Sequence, residues 1–148
     1  MLSSIDEKSA AYLCVFLGIL VAVYIAPSGS YFFDNFIYFW LPQVGVFLLP
    51  AIVYSRPAVI SGAALALALY LAAFHSWNSL SGPDSMAWLG YLFSLPGAAI
   101  GAVAGALHMK NKIKIKAAHL GTVIAASTLT GLAINQMFVC GTVMYCGF

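Results

Sequence analysis

Charged side chains are scarce in this chain. Asp, Glu, Lys and Arg together make up 7% of its 148 residues, whereas hydrophobic residues make up 63%. A soluble globular domain carries roughly 25% charged residues, and so few charges would not keep such an apolar chain dispersed in water. The composition therefore excludes an ordinary soluble domain and predicts an integral membrane protein whose main solvent is lipid.

Catalytic and ion-coupling groups are scarce as well. The long apolar stretches hold no Asp, Glu, Lys or Arg in their interior, which excludes a proton relay of carboxylates and a buried counter-ion for a charged substrate. His75, His108 and His119 do not have the spacing of metal ligands. We therefore expect no enzyme, no metal or other cofactor, and no nucleic-acid partner.

Apolar stretches of membrane-spanning length are what the chain has instead. Crossing about 30 Å of hydrocarbon takes roughly 17 to 25 residues of helix. Five stretches meet this requirement, at about residues 10–26, 36–54, 58–74, 86–107 and 117–139. The sequence predicts an all-α integral membrane protein, with residues 1–148 forming one polytopic domain that is a compact bundle of about five transmembrane helices.

The second stretch leaves an alternative open. Residues 36–54 contain Pro42, Gln43 and Pro50, so this segment could be re-entrant, and the bundle would then have four spans. Only Ser55, Arg56 and Pro57 separate it from the third stretch. If both stretches span, they must form a tight antiparallel hairpin.

Basic residues fall in three places: at Lys8, at Arg56, and in the loop that holds Lys110, Lys112, Lys114 and Lys116. Five spans place all three on the same side of the membrane. Lys and Arg in short loops are retained on the cytoplasmic side, so we expect a cytoplasmic N-terminus and a periplasmic C-terminus. The small size and compact loops favour a bacterial inner membrane.

Small residues repeat at helical spacing in three of the spans. Gly97, Gly101 and Gly105 recur every four residues, which is typical of a glycine zipper on one face of a helix. Similar faces lie on the third and fifth spans, formed by Ala64, Ala68 and Ala72 and by Gly121, Ala125, Ser127 and Gly131. We expect these faces to pair within the bundle, and a glycine-lined oligomer interface or pore is the alternative.

Gln43 is a candidate intramembrane polar site, because its amide lies near the middle of the second span beside Pro42. Hydrogen bonding between helices is the expected role of such a group. Contact with a permeating solute is the alternative, since Pro42 and Pro50 loosen the surrounding helix.

Aromatic residues concentrate at the outer end of the second span. Aromatic belts are normal at membrane interfaces. This cluster is richer than anchoring requires, so a docking surface for a membrane partner is a second interpretation. Its candidate residues are Tyr31, Phe32, Phe33, Tyr38 and Trp40.

Cys140 and Cys146 lie in the tail that the charge pattern places outside the cytoplasm, where disulfides persist. Five residues separate them, so a bond between them would close a small loop. We expect a disulfide there, whereas Cys14 lies inside the first span and is expected to pack as a small apolar residue.

Together these patterns favour a non-catalytic membrane protein that binds a protein partner in or at the lipid bilayer. The partner would be either a membrane-active toxin, neutralised by an immunity-type protein, or a membrane complex of which this chain is an accessory subunit. The alternative is a homo-oligomer that forms a small channel or transporter for a small solute or ion. That alternative depends on the glycine faces, Pro42 and Gln43.

Overall fold

The computed structural model describes residues 2–80, 82, 86–112 and 115–142. Over these ranges the chain forms five helices and no strand: α1 Leu2–Ile25, α2 Phe32–Val53, α3 Pro57–Leu80, α4 Ala87–Lys110 and α5 Ala117–Thr142. Each helix is long and apolar enough to cross a bilayer. The prediction of an all-α bundle of about five spans is confirmed.

The segment for which a re-entrant path was an alternative is one continuous helix. Phe32–Val53 has 22 residues and includes both Pro42 and Pro50. At 1.5 Å per residue it is about 33 Å long, which is enough to cross the hydrocarbon region. This length favours five spans over four.

Several helices extend past the apolar stretches that predicted them. α1 includes Asp6, Glu7 and Lys8, and α3 continues beyond residue 74 to Leu80. The hydroxyls of Ser76 and Ser79 donate to backbone carbonyls one turn earlier in α3. Polar residues can therefore continue a helix into the interface, where hydropathy alone would end it.

The third helix lies at the centre of the bundle. α3 contacts all four other helices, while α4 packs most closely on α5 and α1 packs mainly on α3. Its sequence is rich in alanine, and Ala63, Ala66 and Leu67 are completely buried. Small side chains allow the neighbouring backbones to come close, which is how helices gain packing energy in lipid.

Arg56 shows which segments share one end of the bundle. It lies in the α2–α3 turn, pairs with Glu7 of α1 and donates to the backbone oxygen of Ile115, just before α5. The start of α1, the α2–α3 turn and the α4–α5 connection therefore meet. We call this end, which carries Lys8, Arg56, Lys110, Lys112 and Lys116, the basic end. The side of the membrane that it faces stays a prediction.

Candidate functional site

Gln43 is buried in a contact between α2 and α4. It is 1% exposed, and its Nε2 donates to the hydroxyl of Tyr91 at 2.9 Å and to the backbone oxygen of Phe39 at 3.0 Å. Tyr91 is itself completely buried. The amide therefore joins two helices by a hydrogen bond.

A second set of polar contacts joins α3 to α5. The hydroxyl of Tyr70 donates to Gln136 Oε1 at 3.2 Å, and Gln136 Nε2 lies 3.4 Å from the sulfur of Cys140. The Tyr70 ring also stacks on Tyr91, with 5.5 Å between ring centroids. The stacked Tyr70 and Tyr91 rings thus connect the Gln43–Tyr91 hydrogen bond to the Tyr70–Gln136 hydrogen bond.

Aromatic rings from three helices pack together toward the end opposite the basic end. Trp88 lies 4.5 Å from Phe39, 5.3 Å from Phe74 and 6.0 Å from Tyr91, measured between ring centroids. We call these four residues the aromatic core. Sequence reasoning missed it because its members come from separate spans, although a tyrosine deep in an apolar stretch signals that its hydroxyl needs a partner.

The five residues predicted as a docking surface do not lie on one exposed surface. Tyr31 and Phe33 are 72% and 74% exposed. Phe32 is half-buried, and Tyr38 donates its hydroxyl to the backbone oxygen of Trp88 at 3.3 Å. Trp40 lies against Gly18 of α1 and near Phe47. Tyr31 and Phe33 are therefore the most exposed of the five, and binding of a partner by this cluster stays a prediction.

The small-residue face of α4 lies against α5. A methyl group added at Gly97 would sit 2.3 Å from Asn135 Cβ, and one at Gly101 would sit 2.2 Å from the backbone oxygen of Ser127. At Gly105 the nearest atom is the Ser127 hydroxyl, also at 2.2 Å. The glycines thus let the two backbones approach within the bundle.

The alanine face of α3 lies elsewhere. Ala64 and Ala68 are buried, and Ala72 borders a small cavity shared with Leu20 and Val21 of α1. A different residue of α3, Gly62, faces α5, where an added methyl would lie 2.3 Å from the backbone oxygen of Gly121. The α4 glycines therefore meet α5 rather than the alanines of α3.

Glu7 and Arg56 form a partly buried ion pair at the basic end. Glu7 is 8% exposed, and both of its carboxylate oxygens accept hydrogen bonds from Arg56. Bonding to Glu7 raises the pKa of Arg56 above its ordinary value. A buried carboxylate needs such a partner, since an unpaired charge there would be costly.

An open groove of about 640 Å³ runs along the exposed outer side of the α4–α5 contact. Gly97, Gly101 and Gly131 line it where the two backbones are closest. Thr130 and Asn135 bring polar side chains to this groove. We call it the α4–α5 groove.

The predicted disulfide partner Cys146 lies outside the described residues, so that bond stays a prediction. Cys14 is a free, half-buried thiol in α1. Within the described ranges, no three His, Cys, Asp or Glu side chains are grouped so as to hold a metal ion.

Comparisons with protein-family models, with curated proteins and with solved structures each found no match to this chain.

Proposed function

We propose that this chain is a non-catalytic membrane protein that binds the transmembrane helix of a protein partner. The α4–α5 groove carries the proposal. Ala104 and Thr130 are small residues exposed along this groove, so a further helix can pack closely there, and close packing drives helix association in lipid.

Polar groups in the groove support a protein occupant. Thr130 lies near the middle of α5, and Asn135 lies one to two turns further along. Both side chains already donate to backbone oxygens of the bundle. Their remaining acceptor capacity has no use against hydrocarbon, whereas a partner helix can supply donors.

The channel alternative depended in part on Gln43 contacting a permeating solute. Gln43 is 1% exposed between α2 and α4 and donates to Tyr91, which supports a helix-joining role rather than contact with a permeating solute.

Site-specific photo-crosslinking in native membranes tests the proposal. A photoreactive phenylalanine analogue at Ile134, which is 64% exposed beside the groove, should give one discrete adduct. The same analogue at Ile52, which is 78% exposed on α2, serves as the matched lipid-facing control and should give none.

The adduct also separates the partner classes. An adduct in unchallenged cells identifies a resident complex, and one that appears only on challenge with a membrane-active toxin identifies an immunity-type protein. Absence of any groove adduct, together with selective ion flux through the purified protein in liposomes, would overturn partner binding in favour of a channel.

A further inference from the structure

A separate groove lies at the basic end between α1, α3 and α5. α1 and α5 both pack on α3 but make no extensive contact with each other, and a cavity of about 490 Å³ remains between them. Asp6 and Cys14 line its α1 wall, with Gly62 on α3 and Thr122 on α5. We call it the α1–α5 groove.

The depth of this groove suits an acyl chain. Asp6 and Cys14 are eight residues apart on the same face of α1, which corresponds to about 12 Å along the helix. The part beyond Asp6 is walled mainly by small and apolar residues of three spans. A cavity of this size is within the usual range for small-molecule sites, about 300 to 1,000 Å³.

Charges of both signs lie at the mouth. Asp6 and Glu7 both border the groove, but Arg56 occupies both oxygens of Glu7. Among the described residues Asp6 has no ion pair, so its exposed carboxylate is available to a cation. Lys116 immediately precedes Ala117, which lines the same end of the groove.

We propose that the α1–α5 groove binds one aminophospholipid of the surrounding bilayer. Its primary ammonium donates to Asp6, its phosphate lies by Lys116, and one acyl chain runs inward to Cys14. A primary ammonium has three N–H donors for a carboxylate. The methylated ammonium of a choline lipid has none, so the site distinguishes these two headgroups.

Native mass spectrometry of the purified full chain tests the site. The delipidated protein is mixed with equal amounts of phosphatidylethanolamine, phosphatidylcholine and phosphatidylglycerol that carry identical acyl chains. We expect the ethanolamine lipid to be retained about threefold or more over the choline lipid, the gain that one exposed charge-assisted contact supplies. Asp6→Asn should remove this preference, and the matched change Asp34→Asn, at an exposed carboxylate on α2, should keep it.

Photolabelling of the wild-type protein locates the bound lipid without depending on how well the Asp6 variant folds. An ethanolamine lipid with a photoreactive acyl chain should label the wild-type protein on the α1 peptide that contains Cys14. Thr122→Trp, which puts a large ring into the groove from α5, should reduce this labelling severalfold. Equal retention of the three headgroups, a preference that survives Asp6→Asn, or labelling confined to the α4–α5 groove would each overturn the proposal.

Discussion

At the scale of single residues, the buried polar side chains of this protein are used to join helices. Gln43 and Tyr91 are 48 residues apart in sequence, yet their side chains meet in a site that excludes water. In a bilayer such a bond has a modest net value, since the separated helices also find other partners. Removing the Gln43 amide nevertheless leaves the buried Tyr91 hydroxyl without this donor.

The Gln43–Tyr91 bond can be measured by a double-mutant cycle. Gln43→Leu should lower the free energy of unfolding by about 1 kcal/mol, because it leaves the Tyr91 hydroxyl without its donor. Tyr91→Phe should cost less, since Gln43 still donates to the Phe39 oxygen. The double variant should be more stable than the sum of the single changes predicts, as measured by unfolding in mixed detergent micelles.

Simple additivity of the two changes would show that the bond contributes nothing. A flux through liposomes that Gln43→Leu abolishes would instead return this residue to a transport role.

At the scale of helices, α4 has two buried faces rather than one. Gly97 and Gly101 lie against α5, while Ala98, Ala102 and Ala106 are completely buried on another side. The four-residue repeat of small side chains identifies close-packed faces from sequence. It does not identify which neighbour each face meets, because the alanines of α3 and the glycines of α5 offer α4 similar surfaces.

Substitutions by alanine should separate the glycines by what surrounds them. Gly101→Ala should destabilise the bundle by about 2 kcal/mol or more, since the new methyl meets the Ser127 backbone, which cannot move without separating α4 from α5. Gly105→Ala should cost less, because the nearest atom is a side-chain hydroxyl that can rotate away. Thermal stability in detergent, followed by size-exclusion chromatography, measures both.

Gly45 supplies the control for this series. It lies in α2 with open space around it, and Gly45→Ala should be neutral or should stabilise by up to about 1 kcal/mol through helix propensity. Ala102 would be a poor control because it is fully buried. If Gly101→Ala were as well tolerated as Gly45→Ala, the α4–α5 contact would not be the close one described.

At the scale of the whole molecule, the sequence was sufficient to predict five membrane-length helices but not the contacts between them. Hydropathy and span length gave the five helices, because both depend only on local composition. The contacts of Glu7 with Arg56 and of Arg56 with Ile115 depend on how three separated segments meet. No local pattern encodes them, and the same holds for the partial burial of Tyr38 and Trp40.

The Arg56 contacts bear on topology because they gather the basic residues at one end. Lys8, Arg56, Lys110, Lys112 and Lys116 all belong to segments that meet there. Moving this end across a membrane would mean transferring several charges, so one orientation should be strongly preferred. The helix order places the α1–α2 turn, with the exposed Ser28, at the opposite end.

Single cysteines at these two positions test the orientation. In a background with all native cysteines replaced by serine, Ser28→Cys should react with a membrane-impermeant thiol reagent in intact cells. Lys112→Cys should react only after the cells are permeabilised, since the basic end is expected to face the cytoplasm. Both positions are exposed in the fold, so a difference in labelling reports the membrane rather than burial. Labelling of Lys112→Cys alone in intact cells would invert the topology, and labelling of both would mean that the bundle inserts in two orientations.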